Sequence, residues 1–170
     1  MRHFALAAAA ALVIGCGGGG KAVQQKDTAS DGTPAWLAEG TGAFRGDGTR
    51  KLQGVGVASG VTEPRARRRQ ADGAAREQLQ AAVDSLATAL AKAGDSPQDP
   101  ATVTSLLRKA AGPVAAIRDH WVTADGDERA LAVVEVDALK RALQSVDGDE
   151  KVRQDMFANL DRAFEQVAAK

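Results

Sequence analysis

The chain has 170 residues and a single cysteine, Cys16, so no disulfide can form within it. A disulfide framework, the usual stabiliser of small secreted domains, is thereby excluded. Tyrosine is missing and aromatic residues make up only 4% of the chain, so the core must be built from aliphatic side chains, above all alanine. An excess of charge is also missing: 22 Lys+Arg stand against 22 Asp+Glu. That balance implies no nucleic-acid partner and no polybasic membrane arm. Catalytic vocabulary is thin as well. His3 and His120 are the only histidines, and neither G-x-S-x-G nor H-E-x-x-H occurs.

What is present begins with an address. Arg2 and His3 precede an apolar run from Phe4 to Ile14, which ends at Gly15 and Cys16. The run is too short for a permanent membrane span and is followed by small residues, as a cleavable signal requires. Residues 1–15 are therefore expected to be a signal peptide. The stretch VIGC, Val13 to Cys16, resembles the bacterial lipobox, and a lipid on Cys16 would explain why that cysteine stands alone. The alternative is a soluble secreted protein that loses Cys16 with its signal. Cleavage before Cys16 removes 15 of 170 residues and Arg2 with them, leaving 21 Lys+Arg against 22 Asp+Glu.

Residues 16–33 then read as a flexible tether. From Gly17 to Pro34 the sequence GGGGKAVQQKDTASDGTP has almost no large apolar side chain, and such a composition cannot offset the entropy of ordering. Random-coil scaling lets it hold a domain some tens of ångströms from the lipid. Residues 34–170 are long enough for one small domain, whose modest core could need help from a partner or a second copy.

Within that domain KLQGVGVAS predicts a strand at about 51–59, being apolar, short and punctuated by glycine. Thr62-Glu63-Pro64 is a helix-start signal in which Thr62 can cap. Leu79, Val83, Leu86 and Leu90, extended backward by Ala75 and Ala71, place one stripe of a helix over about 63–93. The first half of that stripe carries only alanine, so its neighbour must come close. A short helix is expected at about 102–111, then strands at about 114–123 and 128–136 around the hairpin signal Asp125-Gly126-Asp127. The second of these strands alternates apolar residues on both faces and needs cover on each. An amphipathic helix at about 149–168, with Val152, Met156, Leu160, Phe164 and Val167 on one stripe, is a candidate for the second cover. The fold class is α+β, a small antiparallel sheet packed by a long helix.

Candidate sites are few. GVGVASG offers Gly54, Gly56 and Gly60, but a dinucleotide loop needs a βαβ setting and a second strand about twenty residues on, where this chain is still helical. Arg65, Arg67, Arg68 and Arg69 crowd the first turns of the long helix, where the macrodipole disfavours cations. They could contact an acidic partner, lipid headgroups or lipopolysaccharide phosphates. A solvated face balanced by Glu63 and Asp72 is the plainer reading. Asp125 and Asp127 lack the further ligands of a calcium loop, so no metal is expected. His120 has no accompanying nucleophile pattern, and no catalytic residue or cofactor is assigned.

The order of VIGC, PAW (Pro34 to Trp36), GVGVASG, ADGAAREQL, IRDHW and ERALAVVEVD resembles the bacterial LPP-twenty lipoprotein family, whose domain recurs in T-type flagellar assembly proteins. The match covers roughly 34–143. The resemblance implies a small α+β domain anchored to the outer membrane by a lipid on Cys16, without enzymatic activity. The expected role is structural or accessory, with an envelope protein or a second copy as partner. The alternative is a periplasmic binding module for a small anion near Gly54 to Arg69. The chain departs from the family pattern at Arg129-Ala130 and in its arginine-rich helix start.

Overall fold

The computed structural model describes residues 32–46, 48–94 and 97–168. The signal-peptide reading and most of the tether, including Cys16, lie outside the described residues. The architecture is α+β, a four-stranded antiparallel sheet packed against helices. In chain order the elements are α1 (Ala35–Glu39), β1 (Gly42–Gly46), β2 (Thr49–Ala58), α2 (Pro64–Ala93), α3 (Pro100–Ala111), a 3-10 turn (Gly112–Val114), β3 (Ala116–Val122), β4 (Glu128–Glu135), α4 (Val136–Ser145) and α5 (Glu150–Val167). The strand order is β1-β2-β4-β3.

Helix starts follow a common rule. In three of them an acidic N-cap side chain accepts from the first-turn amides: Glu63 before Pro64, Asp99 before Pro100, and Asp149. A residue preceding proline is forced out of the helical region, which is the conformation a cap needs. For this reason Glu63, and not the expected Thr62, caps α2. Its longer side chain reaches the amides of Arg65 and Ala66.

The inner sheet face is nearly bare. Leu52, Gly54, Gly56 and Ala58 alternate along β2, and register sets Val134, Ala132 and Ala130 of β4 beside the first three. Against them lies the alanine half of α2. A Cβ placed on Gly54 would fall 2.1 Å from the Leu79 amide nitrogen, and one on Gly56 would fall 2.1 Å from that of Ala75. The helix backbone therefore rides directly on the strand, which is the close approach the alanine stripe demanded. Where the stripe turns to Leu79, Val83, Leu86 and Leu90 it opens onto α3, α4 and α5. There Leu107, Leu139, Leu143, Leu160 and Phe164 complete a single core. Full burial of each such side chain contributes roughly 1.5–3 kcal/mol.

Three elements add to the expected order. β1 extends the sheet beyond β2, α1 precedes it, and α4 continues directly from β4. The second strand of the predicted hairpin ends at Glu135, because Val136, Leu139 and Leu143 are buried at helical spacing. α5 also takes a place different from the one expected. It packs beside α2 in the inner core, and Ala168 forms a parallel bridge to Ala43. The outer face of β4 is covered by α1 instead, where Trp36 seals Leu131 and Val133. Trp36 Nε1 donates to Asp119 Oδ2 at 3.1 Å, and buried Gln53 donates from Nε2 to the Gly40 carbonyl at 2.7 Å. α1 is thus held to the sheet at both ends.

Ion pairs tie the helices to the sheet. Lys140 Nζ of α4 and Arg50 Nη1 of β2 both donate to Asp161 of α5, at 2.6 and 2.8 Å. The Lys140 ammonium, and after it the Arg50 guanidinium, hold the Asp161 carboxyl below its ordinary range. Arg108 of α3 forms a two-pronged bond to Asp84 of α2, at 2.7 and 2.5 Å.

Three predictions follow from this packing and pairing. Gly54→Ala and Gly56→Ala each destabilise the domain by about 3 kcal/mol or more in urea unfolding, because the atoms a methyl meets are backbone. Gly73→Ala, at an exposed helical position with open space around it, stabilises by about 0.5–1 kcal/mol. Asp161→Asn costs about 1 kcal/mol near neutral pH, the pair being half-exposed. Because the folded-state pKa of Asp161 is depressed, its contribution is present above the usual carboxylate range and lost as pH falls through the folded value. Unfolding free energies of the two proteins therefore converge in acid.

Candidate functional site at the start of the long helix

The glycine run is occupied by the protein itself. The space above Gly54 and Gly56, where a phosphate would sit in a glycine loop, is filled by the α2 backbone from Ala71 to Leu79. Gly60, at φ +72°, turns the chain between β2 and the helix. An anion bound in this region would have to be held by side chains.

The four arginines divide into two pairs. Arg67 and Arg68 reach toward β4 and β3, Arg68 with its side chain still 59% exposed, while Arg65 and Arg69, exposed as well, make no ion pair among the described residues. Arg67 lies 3.5 Å (Nε) from Glu128 Oε2 and donates to the Val61 carbonyl at 3.4 Å. Arg68 Nε stands 4.0 Å from Glu128 Oε1, and its Nη2 is 2.9 Å from His120 Nδ1. Glu128 is the centre of the cluster, with a side chain only 7% exposed. The expected balancing acids are used elsewhere. Glu63 bonds the helix amides and Asp72 bonds His120, so the carboxylate that neutralises Arg67 and Arg68 comes from β4. The sequence showed Glu128 only as the first residue of an alternating strand. Its burial follows from the register that pairs it with Ala58, under the first turns of α2.

His120 is engaged on both sides of its ring. Nε2 lies 2.6 Å from Asp72 Oδ1 while Nδ1 faces the Arg68 guanidinium. A guanidinium can only donate, so Nδ1 accepts and the proton sits on Nε2, directed at Asp72. In that arrangement no ring lone pair is left to take a proton from a substrate, and no hydroxyl or thiol is among the partners. The trio works as a clip between α2 and β3.

Asp125 and Asp127 flank the hairpin turn. Gly126 has φ +84°, its amide donates to the Thr123 carbonyl at 3.0 Å, and the Thr123 amide donates to the Asp127 carbonyl at 2.9 Å. Among the described residues no group of three or more histidine, cysteine or acidic side chains is placed to hold a metal ion. A shallow groove of about 320 Å³ lies between α4 and α5, lined by Leu143, Gln144, Glu150, Arg153, Gln154 and Phe157, away from the arginines. No helix among the described residues is long and apolar enough to cross a membrane.

Comparison with protein-family models, with curated proteins and with solved structures finds no match for this chain.

The arginine cluster predicts an asymmetry. Arg67→Met leaves the buried Glu128 carboxylate facing a single, more distant guanidinium and destabilises the domain by about 2–3 kcal/mol. Glu128→Gln leaves two arginines with access to water and costs only about 1 kcal/mol. Equal losses in chemical denaturation would contradict the assignment of Glu128 as the buried partner.

Proposed function

We propose that the chain is a lipid-anchored component of the bacterial cell envelope, held at the outer membrane through acyl groups on Cys16, that works by binding rather than by chemistry. The observation that carries this reading is the N-terminal order of charge, apolar run, small residue and lone cysteine in Arg2 to Cys16. Two or three acyl chains make such anchoring stable, where one is marginal. The resemblance to the LPP-twenty lipoproteins supports the same placement and an accessory role. The folded domain is compatible with it: His120 is clipped between Asp72 and Arg68, and Arg67 is paired with the buried Glu128. The partner in this reading is an envelope component or a second copy, and the balanced charge favours no nucleic acid.

A second reading, a periplasmic module for a small anion, is favoured by the two unpaired cations Arg65 and Arg69 flanking Arg67 and Arg68. Changing the four to glutamine would then abolish stabilisation of the protein by its anion. The leading reading makes a different prediction. Cys16→Ser releases the protein into the soluble fraction after a high-salt wash of membranes, whereas the unchanged chain stays with the lipid. Tight, salt-resistant association of the serine variant would contradict lipid anchoring.

A further inference from the structure

His120 lies on the inner face of the edge strand β3, opposite Ala130 of β4, and its ring is held by two residues of α2 one turn apart. Its side chain is 17% exposed, so solvent reaches the ring. The charged groups facing it come from three elements. From α2 come Asp72, 2.6 Å from Nε2, and Arg68, whose Nη2 is 2.9 Å from Nδ1. Glu128 of β4 lies beyond Arg68. On β3 itself the Asp119 carboxylate accepts the His120 amide, and its other oxygen accepts from Trp36 of α1. The bond from Arg68 exists only while Nδ1 keeps a free lone pair, because a guanidinium has no acceptor to offer. The bond to Asp72 has no such condition, since its carboxylate accepts from Nε2 whether the ring is neutral or charged.

Glu128 is meanwhile loosely paired for a carboxylate whose side chain is only 7% exposed. Arg67 Nε stands 3.5 Å and Arg68 Nε 4.0 Å from its oxygens. A charge-assisted bond of this kind settles at about 2.7–2.9 Å. We propose that His120 is a proton-operated latch that passes Arg68 from β3 to Glu128 of β4. A solvent proton taken up by the Nδ1 lone pair sets two N–H donors and two positive charges face to face, and the bond from Arg68 Nη2 breaks. Arg68 keeps its own protons and closes on Glu128 Oε1. Its side chain is 59% exposed and has the freedom to turn. The imidazolium keeps Asp72, now through a charge-assisted bond. Within this trio β3 is then tied to α2 through Asp72 alone, and β4 gains the cation that β3 loses. Loss of the proton restores the first arrangement.

The test joins NMR of the His120 ring to double-mutant cycles on the purified full chain, at about pH 8 and about pH 5, which bracket the ordinary imidazole range and stay above that of carboxylates. At the higher pH the ring nitrogen-15 shifts should show Nδ1 unprotonated. The cycle of Arg68→Met with His120→Asn should then give a coupling of up to about fivefold in the folding equilibrium constant. At the lower pH both ring nitrogens should carry protons and that coupling should vanish. The cycle of Arg68→Met with Glu128→Gln should grow between the two, and in a His120→Asn background it should not change. Arg68→Met alone should move the His120 titration to higher pH, because it removes a cation and a donor from Nδ1. The ring titration of the unchanged chain requires no variant and stands even where a substitution prevents folding. A protonated Nδ1 at the higher pH, or a ring still neutral at the lower, overturns the proposal. So does an Arg68–Glu128 coupling indifferent to pH, or a His120 titration that Arg68→Met leaves in place, either of which would mark the trio as a fixed clip.

Discussion

The structure depends on one close approach, the backbone of α2 lying on the backbone of β2 at Gly54 and Gly56. At both positions there is room for a hydrogen and nothing larger. Alanines at 71 and 75 on the helix and at 130 and 132 on the neighbouring strand continue the same shallow surface. Interiors tolerate neither voids nor added methylenes, so this contact sets the height and angle of the helix over the sheet. The larger side chains farther along α2 then meet α3, α4 and α5 at positions the glycine seat has already determined. A chain poor in aromatics can close a core in this way because dispersion contacts between flush backbones replace bulky side chains.

That contact also decides what the site can be. Seated so low, α2 fills the space a phosphate would need and brings Arg67 and Arg68 down onto Glu128 and His120. Half of the arginine cluster is thereby converted into a clamp at the helix start, where macrodipole repulsion would otherwise weaken it. Arg65 and Arg69, on the same turns, make no ion pair among the described residues. Helical position thus separates the four arginines into two that pair with the sheet and two that do not.

Much of this was legible from the sequence, for physical reasons that differ by element. α2 announced itself through the spacing of Leu79, Val83, Leu86 and Leu90, and the alanines before them implied a neighbour that comes close, as β2 does. β2, α3, β3, β4 and α5 were each readable from periodicity bounded by glycine, proline or aspartate. α1 and β1 were not, since AWLAE and GAFRG are too short to show a period and depend on the tertiary contacts of Trp36 and Ala43. α4 was hidden because Val136 continues the apolar run of β4 without a breaker, although Leu139 and Leu143 did carry a helical signal. The role of Glu128 and the covering of the outer face by Trp36 required strand register, which no local pattern encodes.

Native-state amide hydrogen exchange measures the central claim most directly. If the glycine seat holds the fold together, the amides of α2 from Ala71 to Leu86 exchange only by global unfolding, with the same free energy and denaturant dependence as the protected amides of β2 and β4. An α2 that opens at a lower free energy, with the sheet still protected, would contradict it.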